Sequence, residues 1–369
     1  MTLNNNKIKE YDVIIIGGGP AGLSTWFYLN LKAPEIATRT LLIEKEKYPR
    51  DKICGGALGG WTEKILNQLD INIDIPSVDI NTVECRLGEK VIQINQKNFF
   101  RIIRRIEFDQ ALVQIAKKRG LRIQENETFS DFKRNKQNIY IHTDKNIYKS
   151  KILIGADGAL SSVRRKMNPN IKPILAPGLE IFNPVDLTYD SEFNEKKVVL
   201  DFSLIKKGLQ GYVWHFPCIM NNTPTINHGI VDFCISSKKP KINIKDMLSQ
   251  ELKLRNINTT YQSWRGHPIP WFNYDADIAQ PNILLVGDSA GIEPAIGSGI
   301  HLALSYGEVA SFSIVQALQK NDYSFIDYKT LIQSHILGKY IKKLTELSKI
   351  MYSDSNKTLD VVSKIFFQK

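Results

Sequence analysis

The chain is predicted to be an α/β protein, with a Rossmann-like domain, an inserted mixed or antiparallel β-sheet domain, and a helical carboxy-terminal tail. Three observations predict it. A glycine-rich turn follows the apolar run YDVIIIG (11–17) and opens a helical pattern. Short apolar runs suited to buried strands recur at TLLIE (40–44), KILIGAD (151–157) and NILLVGD (282–288). Residues 80–97 and 175–235 instead alternate along the chain, with Asn, Pro and Gly at the turns, as mixed or antiparallel strands do.

The elements follow in order. The first strand leads into a helix from Ala21 to Leu31 and then into the strand ending at Glu44, which makes a βαβ unit. A second helix is read from about Phe108 to Gly120, where glycine stops it. From about Asp327 the tail is helical, with Ile336, Leu337, Ile341 and Leu344 on one side and Lys339, Lys342, Lys343 and Glu346 on the other. At 369 residues the chain exceeds what one core usually serves. Residues 1–79, 98–174 and 270–326 are expected to form one discontinuous domain. Residues 80–97 and 175–269 form the sheet domain, and 327–369 the helical segment.

The composition, 43% hydrophobic and 24% charged, is that of a globular protein. No apolar run approaches the roughly 20 residues that span a bilayer, and MTLNNNKIKE lacks the apolar core of a secretory leader, so a cytoplasmic protein is expected. Cys54, Cys85, Cys218 and Cys234 are scattered without a CxxC pair, which argues against a metal site, a disulfide framework and a dithiol redox centre. The net charge of +11 is lysine spread along the chain. With no aromatic-interleaved basic strip, nucleic acid is not an expected partner, whereas an anionic cofactor or a phospholipid surface stays open. Sequence is silent on oligomeric state.

VIIIGGGPAG contains GxGxxG as Gly17, Gly19 and Gly22, placed after a strand and at the start of a helix. Gly17 permits the tight turn, Gly19 lets the backbone approach a pyrophosphate, and Gly22 allows close helix–strand packing. The helix amino terminus, opened by Pro20 and Ala21, offers unpaired N–H groups from Ala21 onward and a positive dipole end to phosphates. Glu44, at the end of the second strand, is placed to accept bonds from ribose hydroxyls and disfavours a 2′-phosphate. NAD and FAD both fit this unit.

Two downstream segments choose between them. LIGADGALSSVRR (154–165) and LLVGDSAGIEPAIGSGI (285–300) resemble the second and third fingerprints of FAD enzymes of the aromatic-hydroxylase superfamily. That resemblance implies that Asp157 and Gly158 lie near the FAD pyrophosphate and the nicotinamide path, and that Asp288 bonds the flavin side chain. A helix amino terminus with exposed amides, at Gly297, Gly299 and Ile300, suits the negative charge of a reduced flavin. GDSAG alone also reads as a strand-to-helix turn with Asp288 as N-cap. RRIEFD resembles the RxxFD element of the same enzymes, with Arg105 contacting FAD and Phe108 and Asp109 opening a helix. Lys45, Arg50 and Gly55 are further residues placed at the cofactor.

PRDKICGG, Pro49 to Gly56, resembles the PxxxxCGG element of the geranylgeranyl reductase family. GYVWHFP (211–217) resembles that family's YxWxFP element. With the FAD fingerprints, the resemblance covers about residues 10 to 310. It implies reduction of isolated prenyl double bonds on a lipophilic substrate, using FAD and an external donor, NADPH or NADH. In a strand, Tyr212, Trp214 and Phe216 share one face and form an aromatic wall, read as core or as the side of a substrate cavity. Cys54 is placed near the flavin, with catalysis, pocket shape and plain packing all open. His215 points away from the wall. The hairpin after YxWxFP departs from the family, because Val231 stands where a second glycine is usual after Gly229. A flavin monooxygenase is the competing reading and a flavin halogenase a third. A disulfide reductase is disfavoured by the missing CxxxxC. The basic tail suits contact with an anionic membrane, or a helix packed on the FAD lobe with a solvated lysine face.

Overall fold

The computed structural model describes residues 8–135, 137–236, 242–257 and 264–367. The leader reading falls largely on residues 1–7, outside the described residues. The apolar runs become the middle of a sheet in the order β15 (Ala279–Gln280), β16 (Ile283–Leu285), β9 (Ile147–Gly155), β1 (Lys9–Ile16), β2 (Thr40–Ile43) and β6 (Arg122–Gln124). The five strands from β16 to β6 are parallel, and β7 (Phe129–Arg134) and β8 (Ile139–Thr143) extend β9 as an antiparallel hairpin. The helix Pro20–Lys32 covers this sheet and packs on the long helix Gly299–Lys320. Burial of both strand faces explains why these runs are continuously apolar. Gly17 takes φ +105° between β1 and the first helix, and a Cβ there would run into the Ala156 backbone, so the turn needs glycine.

The second sheet runs β14 (Arg265–Pro270), β10 (Leu175–Pro184), β13 (Thr223–Asp232), β12 (Gly211–Met220), β11 (Lys197–Asp201), β4 (Ser77–Leu87), β5 (Lys90–Ile103) and β3 (Ala57–Gly59). It is mixed, because β11 lies parallel to β4 while the other pairs are antiparallel. Strand alternation sorts its residues. Tyr212, Trp214 and Phe216 point to one face, and Val213 and Ile230 point to the other, where Leu248 and Leu252 of the helix Ile244–Leu254 cover them. His215 also lies on that far face, paired with His228 through Nδ1 atoms 2.7 Å apart.

Three elements differ from the sequence reading. Alternation at 80–97 understates the second sheet, which takes in β3 and all of 77–103. The helix read from Phe108 starts at Arg105, so Phe108 and Asp109 lie inside it and do not open it. The reason is the buried Arg105–Asp109 pair one turn apart, which belongs to a helix already under way. The tail does not belong to one lobe. The helix Ile336–Ser353 buries Leu337 and Ile341 in the first core and Met351 and Tyr352 in the second. The helix Thr358–Phe367 then adds Val361 and Val362 to the second core. Ile336 falls outside the buried stripe and is exposed.

Candidate active site

A cavity of about 650 Å³ opens where the carboxyl ends of β1, β2 and β9 meet the second sheet. In a parallel sheet this is the crevice where ligands bind. Gly17, Gly19, Pro20, Ala21, Glu44, Lys45, Arg50, Arg105, Asp157, Gly158 and Asp288 line it, together with Lys52, Arg265 and His267. The Glu44 carboxylate is 4% exposed. Its Oε2 accepts from the Gly18 N–H at 2.8 Å and its Oε1 from the Glu46 N–H at 3.1 Å. Carboxylate oxygens hold more than one acceptor site, so Glu44 fixes the turn and still faces the cleft.

Cations and anions alternate around the cavity. Arg50 reaches Asp109 at 3.0 Å and lies 3.4 Å from Glu44. Arg105 spends Nε and Nη2 on Asp109 at 2.7 and 2.8 Å. Lys52 Nζ donates to Asp288 Oδ2 at 3.2 Å. Burial works to raise the Asp288 carboxyl, but the Lys52 ammonium, joined by Arg105 and His267, holds the group below its usual range. Asp157 goes the other way. Burial raises it although it accepts from Ser161 Oγ and from the Ser162 and Val163 N–H groups. Arg164, in the same segment, donates to the Ser289 carbonyl at 3.0 Å and so ties the 154–165 stretch to the 285–300 stretch. Burial, with Lys52 second, pulls His267 down to about 4. Its buried Nε2 has no hydrogen-bond partner among the described residues. A glycine turn at a helix amino terminus, clustered guanidinium and ammonium groups, an acidic residue after β2 and an unpaired imidazole nitrogen together fit FAD.

The aromatic residues sit across a turn from this cavity. Lys52 and Ile53 line the cavity, Cys54 is half-buried, and the Phe216 ring presses on Gly55, 3.0 Å from where its Cβ would stand. Tyr212 and Trp214 are 8% and 9% exposed, which makes them part of a packed cluster with Phe202, Phe233 and Tyr352. Tyr212 is also a strut. Its hydroxyl donates to the Ile296 carbonyl at 2.6 Å, while Tyr352 from the tail donates to Ala295 at 2.5 Å. Glu293, fully buried, accepts from Ala295, Ile296 and Ser298 and sets the shape of that loop. Trp214 lies flat across Gly229, where any Cβ would overlap its ring. That explains the glycine retained at 229. Val231 stands opposite Tyr212 in the register and packs with it in the second core.

Gly22, Cys54, Gly55, Gly297, Gly299 and Ile300 do not line the cavity. Gly22 packs under the turn against β1, and Ile300 is buried in the first core. The helix expected to expose amides from Gly297 begins at Gly299, after Ser298, with Gly299 beside Asp288. Asp288 lies in a single 3₁₀ turn, Gly287–Ser289, and does not cap that helix. The sequence reading missed Lys52, Tyr48, Arg265 and His267. Tyr48 donates its hydroxyl to the Gly18 carbonyl. Lys52 was within sight, inside PRDKICGG. Arg265 and His267 carry no local signal, because β14 is brought to the cleft by pairing with β10.

Residues 10–173 match the FAD binding domain family. The chain is 27% identical to digeranylgeranylglycerophospholipid reductase 3 of Methanosphaera stadtmanae, with 96% of this chain and 90% of the relative covered. It is 28% identical, with the same shares covered, to a digeranylgeranylglycerophospholipid reductase of Methanococcus aeolicus. Among solved structures, a geranylgeranyl bacteriochlorophyll reductase-like protein of Thermoplasma acidophilum superposes with a TM-score of 0.76 at 21% identity, covering 98% of this chain and 92% of that one. A probable FAD-dependent monooxygenase of Pseudomonas aeruginosa superposes with a TM-score of 0.71 at 14% identity, covering 96% and 100%. The protein is an FAD-dependent oxidoreductase related to the geranylgeranyl reductases.

Proposed function

We propose that the protein reduces isolated carbon–carbon double bonds of a lipophilic, prenyl-type substrate. The observation that carries this reading is the contact between the two elements resembling the geranylgeranyl reductases: Gly55 of the CGG turn lies under the Phe216 ring, next to Trp214. One turn therefore faces the cofactor cleft through Lys52 and the aromatic strand through Gly55. The two relatives matched over 96% of the chain carry names for reduction of a digeranylgeranyl lipid.

The turn at Gly17 and Gly19 and the helix N–H groups from Ala21 would hold the pyrophosphate, Glu44 the ribose, and Asp288 with Lys52 the flavin end. Bound FAD, once reduced by NADPH or NADH, supplies the hydride. Phe216, the partly exposed ring of the three, would offer the substrate an apolar side backed by the packed Tyr212 and Trp214, stabilising at about 25 cal/mol per Å² buried. Cys54 stands between cleft and wall. The second hydrogen of the saturated bond arrives as a proton from water or a nearby acid.

The test uses protein purified with its yellow cofactor, reduced without oxygen and mixed with a geranylgeranyl lipid. Reoxidation with a product two hydrogens richer per double bond is the expected result. Reoxidation only with oxygen, and an oxygenated product, would transfer the protein to the monooxygenases. Protein that stays colourless after FAD is added would overturn the cleft assignment itself.

The same reading brings the protein to a lipid surface. Among the described residues no helix is long and apolar enough to cross a membrane. Leu337, Ile341 and Leu344 are buried, which leaves Lys339, Lys342 and Lys343 as an exposed basic face. Contact through it is electrostatic, so sedimentation with anionic liposomes is expected to fall steeply with salt. Binding that ignores salt would exclude this face.

A further inference from the structure

Trp214, Gly229, Glu180 and Arg265 stand side by side across β12, β13, β10 and β14, and so share one face of the sheet. Glu180 is 1% exposed there. Its Oε2 accepts from the Cys54 N–H at 3.2 Å and from Asn227 Nδ2 at 3.1 Å. Asn227 Nδ2 also reaches the Cys54 carbonyl at 3.3 Å, and Asn227 Oδ1 accepts from Trp214 Nε1 at 3.0 Å. One carboxylate and one amide thus grip both backbone groups of Cys54 and the indole that lies over Gly229. The cofactor-binding role of the cleft uses none of these bonds. A buried carboxylate is expensive to keep unless its position matters.

We infer that Glu180 is a positioning residue: with Asn227 it clasps the Cys54–Gly55 turn to the aromatic face, and ionisation of its carboxyl tightens the grip. The inference rests on the cleft being the FAD site, but not on alkene reduction.

The surroundings place that ionisation in a useful range. Burial pushes the Glu180 carboxyl up to about 7, against the Asn227 hydrogen bond and the charges of Arg265 and Arg104. Asp51, which binds both arginines, opposes ionisation. Arg265 Nη1 stands 3.9 Å from Glu180 Oε1. Burial takes His267 down to about 4 and Cys218 up to about 12. Bonds to an ionised acceptor are roughly twice as strong as neutral ones, a difference of about 1 kcal/mol, or about fivefold in a local opening equilibrium.

The experiment follows iodoacetamide labelling of Cys54 by mass spectrometry in the FAD-loaded protein, with exposed Cys234 as internal reference. Burial pushes the thiols of Cys85 and Cys218 up to about 12, so they do not compete. Glu180→Gln is neutral at every pH. It is expected to label about fivefold faster than wild type at pH 8 and at the wild-type rate at pH 5.5. Equal rates at pH 8, or the same excess at both pH values, would overturn the proposal. Asn227→Ala gives the parallel arm if Glu180→Gln does not fold. It is expected to label faster than wild type, by more at pH 8 than at pH 5.5, and a rate equal to wild type overturns the clasp. Labelling needs no turnover, so a protein inactive on geranylgeranyl lipids still reports on the clasp. A colourless protein shows separately that the cleft reading has failed.

Discussion

On one side of the Cys54–Gly55 turn, charged groups from six segments surround about 650 Å³ of open cleft. On the other, Tyr212 and Trp214 are more than nine-tenths buried, packed by rings from the segments after β11 and β13 and from the tail. The cleft is made largely of backbone: a glycine turn, a helix end and loop amides hold a shape that side chains then charge. The aromatic face is made of side chains from distant parts of the chain, each filling space left by another. A backbone-built site tolerates no added atom in its turns but survives changes in its neighbours. A side-chain-built face loses packing wherever a ring is removed.

The sharpest way to break that contrast is Gly17→Val. The residue would need φ +105° and would collide with Ala156, so the turn cannot keep its shape. The expected outcome is protein without bound FAD, seen as loss of the visible flavin absorbance. Retention of stoichiometric FAD would show that the turn is not the cofactor cradle.

Trp214→Ala attacks the other region. It leaves a cavity in a packed core, and such changes lower stability by about 3–5 kcal/mol. Because Gly17, Glu44 and Arg50 are untouched, the folded fraction is expected to stay yellow, with a lower melting temperature and weaker or redirected turnover. Loss of FAD in protein that remains folded would mean that the two regions are one unit.

Legibility in the sequence follows the same division. Gly17 and Glu44 were legible because each sits at a fixed offset from a strand end, and Asp157 and Asp288 through the resemblance of their stretches to FAD-enzyme fingerprints; all four line the cleft. The alternation of GYVWHFP likewise announced a shared face for three rings. What covers that face could not be read. Tyr352 and Val362 arrive from the tail, and Glu180 from a strand whose register with β13 sequence does not state. The start of the helix at Arg105 was hidden for a related reason, since its first turn is fixed by burial against Asp109 and not by a capping side chain.

Lys52→Ala sharpens the comparison at the border. The Lys52–Asp288 pair is more than three-quarters buried on both sides. Hydrogen bonds to charged groups there contribute about 1.5–3 kcal/mol. With the ammonium gone, an anionic cofactor loses a partner and Asp288 loses the strongest of the charges that hold its carboxyl low. FAD affinity, followed by flavin fluorescence titration, is expected to fall by about tenfold or more, while the melting temperature of the loaded protein changes little. An unchanged affinity would place the flavin end away from Asp288.

The smallest expected effect lies at Glu180. Its carboxyl is raised to about 7 from 4.5. A folded-state value above the unfolded one means that the native protein binds the proton more tightly. Its contribution to stability is therefore full below pH 4.5 and is lost as pH rises to about 7. Glu180→Gln has no such loss. Between pH 5 and pH 8 wild type is expected to lose about 1–2 kcal/mol more than the variant, read from paired urea melts in which all other titrations cancel. An equal loss in both would mean that Glu180 is ionised across the whole range, in which case the clasp on Cys54 holds without a switch. The global loss and the local tightening have one cause. In a site of low dielectric, an ionised carboxylate is costly to the fold as a whole, yet it pulls harder on the two N–H groups that remain its partners. The turn between cleft and wall is therefore held most firmly at the pH where the folded state as a whole has given up stability to ionise Glu180.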